Sequence, residues 1–244
     1  MKLLISCMKC LEEFGRPTGE LSHVEFRDDG RYEFVCTFGH ETVTVLQQQK
    51  FEVLFDIGAH AILDGYYREA VTSFASSLER FYEFSIRVLI ESAGVSDDSF
   101  KKSWEQVNQS ERQLGAFIFL WLQAFDEVAK TLSTTQVKFR NDVVHNGKIP
   151  SKEEAIKYGE AVLAVVRPKI KILKQKYPEV IQKVTFKHLL NSRKPSDENK
   201  QVATMGISTI LSLSSGDADN DEKSLEESLL RLSTWLDIVR QSKV

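Results

Sequence analysis

The chain has 244 residues, 42% hydrophobic and 27% charged, a balance that supports a sizeable core and excludes a disordered chain. A formal net charge of −3 excludes a global basic field as the means of holding nucleic acid, so any RNA contact must come from local patches. No run reaches the ~18 apolar residues of a membrane span. The opening Met1-Lys2-Leu3-Leu4-Ile5 meets Ser6-Cys7 too early for a secretory signal, so a cytoplasmic protein without membrane contact is expected.

Residues 1–48 carry strand chemistry. Leu21 to Phe26 and Tyr32 to Val35 are β-rich runs joined by Asp28-Asp29-Gly30, a hairpin turn signal. Thr42 to Leu46 alternates valine with threonine, as a half-buried strand does. The only three cysteines fall in this segment, which argues against a disulfide framework. Cys7 and Cys10 have the spacing that presents two thiolates from one tight turn. Cys36 and His40 form a second pair, with Gly39 relaxing the backbone before the histidine. Together they match a zinc-ribbon-like Cys3His site for a structural Zn2+, and a segment this short needs such a metal to fold.

From Phe51 the period turns helical. Phe51 to Leu63 predicts one helix, ending at Asp64-Gly65, and Tyr66 to Ala93 a long one, stopped by Gly94. Ala70, Phe74, Leu78, Phe81 and Ser85 make its buried stripe. Ser99 to Asn108 predicts a short helix. Glu111 to Ala129 predicts another, apolar all round over Ala116 to Leu122, as a central core helix would be. Thr134 to Asn146 closes at Asn146-Gly147, a left-handed cap pair. Ser151 with Glu154 opens a helix running to Tyr177 that Pro168 should kink or split. The polar stretch 191–200 reads as a linker, Val202 to Ser214 as β-prone, Gly216 to Asp221 as an acidic loop, and Ser224 with Glu227 as the start of a last helix. The expected architecture is therefore mainly α: a zinc-ribbon-like module at 1–48, an antiparallel helical bundle at 50–190 and a strand–helix appendage at 201–244.

The most informative stretch is Phe139-Arg140-Asn141-Asp142-Val143-Val144-His145-Asn146-Gly147. On a helix Asn141 and His145 share a face and Arg140 projects beside them, while Phe139, Val143 and Val144 turn inward. His145 falls in the last turn, at the negative end of the helix dipole. This segment resembles the Arg-x(4–6)-His signature of HEPN domains, including the polar residue after the arginine. The long Tyr/Phe-rich helix beginning Tyr66-Tyr67-Arg68-Glu69-Ala70 resembles the start of such bundles, and the likeness spans about residues 50–180.

The resemblance implies a homodimer that cuts RNA without a catalytic metal, by attack of the 2′-OH on the neighbouring phosphate. His145 would move protons, Arg140 stabilise phosphate charge and Asn141 orient the reacting groups. It further implies a toxin or antiviral-defence effector restrained by an inhibitory or sensing protein partner. The alternative is a non-catalytic adaptor that binds nucleic acid or protein. Arg167, Lys169, Lys171 and Lys174 form a basic stretch able to track RNA phosphates, or simply a solvated helical face. Trp104, Trp121 and Trp235 read as core or interface anchors, and Glu79 as a residue with an i±4 partner or a supporting role near the site.

Overall fold

A computed structural model describes residues 2–15, 22–107, 109–194, 197, 202–214 and 223–241. The described chain is mainly helical and forms two compact units, one of residues 1–48 with 182–208 and one of 49–181 with 209–244. The acidic loop expected at Gly216 to Asp221 and part of the 191–200 linker lie outside the described residues.

The first unit opens with β1 (Lys2–Ile5), α1 (Met8–Phe14) and β2 (Ser22–Glu25), and β1 pairs antiparallel with β2 in register Leu3↔Val24. β3 (Arg31–Val35) and β4 (Glu41–Leu46) form the second antiparallel pair, Tyr32↔Thr44. The Asp28-Asp29-Gly30 turn is present, with Gly30 at φ 62°, but it does not close a hairpin. It links strands of different sheets, because β3 finds its partner across the shorter Cys36–His40 turn instead. β5 (Val202–Met205) adds to the other edge of β4, parallel to it.

That pairing divides the C-terminal segment. Residues 202–208 belong with the sheet and those from 209 onward with the helices, so 201–244 is not one appendage. A buried ion pair helps hold the far end of the chain in this unit. Arg31, 1% exposed, donates from Nη1 and Nη2 to Asp197 at 2.8 and 2.6 Å. Such a fork is directional, and losing either partner strands a buried charge.

The second unit contains α2 (Lys50–Leu63), α3 (Tyr67–Ser92), α4 (Asp97–Trp104), α5 (Ser110–Phe125), α6 (Thr134–Val144) and α7 (Lys152–Lys176). α8 (Pro178–Asn191) follows α7, with its residues from 182 onward in the first unit, and α9 (Leu225–Gln241), in the second, ends the described chain. Side chains cap several of these starts: Gln49 with Glu52, Ser133 with Gln136 and Ser151 with Glu154 each form a reciprocal capping box. α3 is the central helix, packed against α2, α5, α6 and α7. Its stripe Ala70, Phe74, Leu78, Phe81 and Ser85 is buried throughout.

Two expectations change. α5 is not buried on all sides: Phe117 and Trp121 face the core while Phe119 is 73% exposed. α7 runs from Lys152 to Lys176 through Pro168, so the proline does not split it. Trp121 is a core residue, whereas Trp235 on α9 is exposed.

Helices approach closely where glycine permits it. A Cβ on Gly58 would lie 2.6 Å from the Phe74 ring, and one on Gly159 would lie 2.9 Å from the same ring. Phe74 thus sits between α2 and α7, with Phe55 packed on it at 4.6 Å between ring centroids. Gly58→Ala should lower stability by about 1–3 kcal/mol through overpacking, more than the ~1 kcal/mol that helix propensity returns. Urea denaturation of the two proteins measures the difference; equal midpoints would refute the close packing.

Candidate functional site

The first unit brings the four candidate metal ligands together. Cys7 is the N-cap of α1 and Cys10 lies on its first turn, so a short helix rather than a bare turn presents these two thiols. Cys36 and His40 flank the β3–β4 turn, where Cys36 N donates to His40 O and Gly39 takes φ 79°. Cys10 Sγ lies 3.7 Å from Cys36 Sγ and 3.4 Å from His40 Nδ1, and Cys7 Sγ lies 3.8 Å from that nitrogen. All four ligand atoms fall within 4.8 Å of one another.

Bond lengths of about 2.3 Å to sulfur and 2.0 Å to nitrogen, arranged tetrahedrally, give ligand–ligand edges of about 3.5–3.8 Å. The three separations of 3.4, 3.7 and 3.8 Å lie close to those lengths, and the cluster can hold a metal ion. Burial pushes the Cys36 thiol up, but the backbone N–H groups of His40 and Phe38 and the neighbouring thiols outweigh it and hold it below its ordinary value. His40 turns Nδ1 towards the sulfurs, and its Nε2 lies 3.2 Å from Glu13 Oε2. A carboxylate on the distal nitrogen fixes the tautomer that leaves Nδ1 free to ligate. Glu13 was not among the residues singled out in the sequence, although it lies three positions after Cys10 on the same short helix.

The second unit assembles the Arg-Asn-His group. Val143 is fully buried and anchors α6, with Phe139 half-buried against Tyr158 of α7 at 5.7 Å between centroids. The helix ends two residues earlier than expected, at Val144. His145 is its C-cap, exposed, and Gly147 at φ 74° reverses the chain so that Lys148 N donates to Asp142 O.

Arg140 is the hub. Its Nη1 donates to Asn141 Oδ1 at 3.0 Å and lies 3.4 Å from His145 Nε2. Its Nη2 donates to Glu79 Oε1 of α3 at 2.7 Å. Burial pushes the Tyr158 phenol up, and the charges of Arg140 and Glu79 act on it in opposite senses, which sets the ring beside the ion pair. The three residues chosen from the sequence are thus in mutual contact on one helix end. Glu79 joins them only through the tertiary fold, since α3 and α6 are distant in the chain.

The basic stretch of α7 is not an open stripe. Lys169 is buried, donating to Lys130 O at 2.6 Å and Val165 O at 2.9 Å, with its ammonium 5.7 Å from the Trp121 ring centre. Burial brings its pKa down to about 8. Lys174 donates to Ser214 O at 2.9 Å, and Arg167 Nη1 donates to Lys223 O. Of the four expected RNA contacts Lys171 is exposed, and Lys169 is removed from consideration because the helix turns it into the core.

Comparison with protein-family models, with curated proteins and with solved structures finds no match. No described helix is long and apolar enough to cross a membrane.

The metal-site geometry makes two predictions. Protein purified without chelator should carry about one equivalent of a divalent, thiophilic ion, lost in Cys36→Ser. Glu13→Gln should weaken its retention about 10–100-fold in chelator competition. Elemental analysis and competition titration measure both; retention unchanged in Glu13→Gln would remove the supporting role.

Proposed function

We propose that the chain is a metal-independent endoribonuclease of the HEPN type, an effector of toxin or antiviral-defence character, with a structural zinc ion in its Cys3His cluster. The observation that carries this reading is the contact set of Arg140, Asn141 and His145 on one exposed helix end. His145 is also the one exposed histidine among the described residues of its unit, since His60 is buried.

In the reaction the RNA 2′-OH loses its proton to a base and attacks phosphorus, forming the 2′,3′-cyclic phosphate. The P–O5′ bond breaks, and the leaving oxygen takes a proton to become the 5′-OH. His145 serves in the proton transfers. Arg140 offers N–H donors to the non-bridging oxygens as their charge rises, a role that suits a fixed fork. Asn141 holds Nη1 of that fork through Oδ1 and leaves its amide group to orient the phosphate. A second copy of the chain would supply a second histidine, so that base and acid are separate groups. The zinc ion is closed off by its four ligands and supplies folding energy to the first unit rather than chemistry.

A second reading is favoured by one observation. Glu79 already occupies Nη2 of Arg140 within the same chain, and both side chains are only 27% exposed. That arrangement also suits an adaptor whose arginine serves to hold α6 on α3.

The test is cleavage of total RNA in EDTA by wild type and by His145→Ala, with product ends analysed. Wild type should leave cyclic phosphate and 5′-OH ends, and the variant should be slower by about 100-fold or more with an unchanged melting curve. Wild-type protein that does not cut as a verified dimer would favour the adaptor.

A further inference from the structure

The buried face of α2 carries acidic groups that no feature of the proposed nuclease uses. Glu52 and Asp56 lie four residues apart, hence on one side of the helix, and both are buried. Each accepts a backbone N–H from the same extended segment: Leu213 N donates to Glu52 Oε1 at 2.9 Å, and Ile210 N donates to Asp56 Oδ1 at 2.9 Å. Glu52 uses its second oxygen as well, accepting from Gln49 N at 2.7 Å. Asp56 accepts through Oδ1, which leaves Oδ2 as the oxygen able to carry a proton without losing that bond. Leu211, between the two anchored amides, is fully buried and Thr209 nearly so, so buried side chains and main-chain bonds together seat the segment.

Neither acid has an ion-pair partner among the described residues. The surrounding charges are few. From α7 the Lys174 ammonium acts on Glu52, while donating its own hydrogen bond to Ser214 O. On α2 the two acids face one another, and His60, one turn further, is pushed down to about 4 by burial and so stays neutral. α3 meets α2 with Phe74, Phe81 and the Ser77 hydroxyl, which donates to Phe51 O. α9 also packs on α2, and among the described residues the charges that act on the two acids are Lys174 on Glu52 and Glu52 on Asp56. Residues 209–214 contain no ionisable side chain.

We propose that Glu52 and Asp56 form a protonation-sensitive latch for residues 209–214, which stay docked on α2 while the pair holds a proton and loosen when both carboxylates are ionised. The neutral acid still accepts an amide hydrogen bond through its carbonyl oxygen, so docking survives protonation. Two adjacent buried anions are costly in an apolar site, and the cost is relieved by lifting the segment and admitting water. Burial, with mutual repulsion added at Asp56, raises both groups to about 7 from ordinary values of 4.5 and 3.8. A carboxylate raised on folding contributes fully below its ordinary range, and the contribution is lost as pH climbs through the folded value. Docking is therefore strongest at and below the ordinary carboxylate range, weakens as pH climbs towards about 7 and changes little beyond it.

The latch is independent of the nuclease reading, and its test does not use activity. Amide hydrogen exchange of the full chain is followed at Ile210 and Leu213 and, as a reference, in the core of α3. Converting rates to protection factors removes the intrinsic pH dependence of exchange. Between about pH 5.5 and about pH 8.5 the wild-type protection at both amides should fall at least about tenfold, the equivalent of one pKa unit, while α3 stays unchanged. Glu52→Gln with Asp56→Asn keeps the acceptor oxygens and removes the charge, so its protection should hold at the higher pH. Constant wild-type protection, or an equal fall in the double variant, overturns the proposal. If that variant does not fold, Asp56→Asn alone should halve the loss or better, and an undiminished loss overturns it equally.

Discussion

The packing of Phe74 is the constraint on which the helical unit depends. Its ring occupies the space that side chains on Gly58 and Gly159 would take, so α2 and α7 both close on α3 at the same level. Interiors this dense do not deform continuously, and moving one helix moves the others. α3 is thereby held as a rigid post, and Glu79, further along it, becomes a fixed point against which α6 can be oriented.

The Arg-Asn-His group inherits its geometry from that post. Val143 supplies the apolar seat of α6, and the capping box at Ser133 sets where the helix begins. Glu79 then takes one arm of Arg140 and leaves the other to Asn141 and His145. The pairing both positions the arginine and competes for it. Phosphate binding would have to share the guanidinium with a carboxylate, an arrangement in which a partner or a second copy could set the balance.

The first unit follows a different logic. Its strands are short, and its apolar core is supplemented by three clustered thiols and by the buried Arg31–Asp197 pair. Neither feature stabilises much alone: free thiols pack as small apolar groups, and a buried ion pair costs desolvation. A bound metal would change the balance by converting four side chains into one cross-link between α1 and the β3–β4 turn.

Local chemistry was enough to read much of this from the chain. The helix starts at Ser151 and Ser224, the stops at Gly65, Gly94 and Gly147, the stripe of α3, the separate Cys7/Cys10 and Cys36/His40 pairs and the Arg-Asn-His set are all short-range patterns. Each depends on neighbours within a turn or a strand. The misreadings have the opposite character. The β3–β4 pairing, the burial of Lys169, the exposed face of α5 and the division of the C-terminal segment at 208 all depend on what lies across space, as does the meeting of Glu79 with Arg140, for which only a supporting role near the site was expected. Periodicity tells which residues want to be covered, but it carries no record of which element covers them. A basic run on a helix looks the same whether its lysines meet solvent or a carbonyl. The sequence by itself therefore determined the elements and the chemical groups available; the tertiary structure alone decided which groups meet, because burial and long-range pairing are properties of the packed chain.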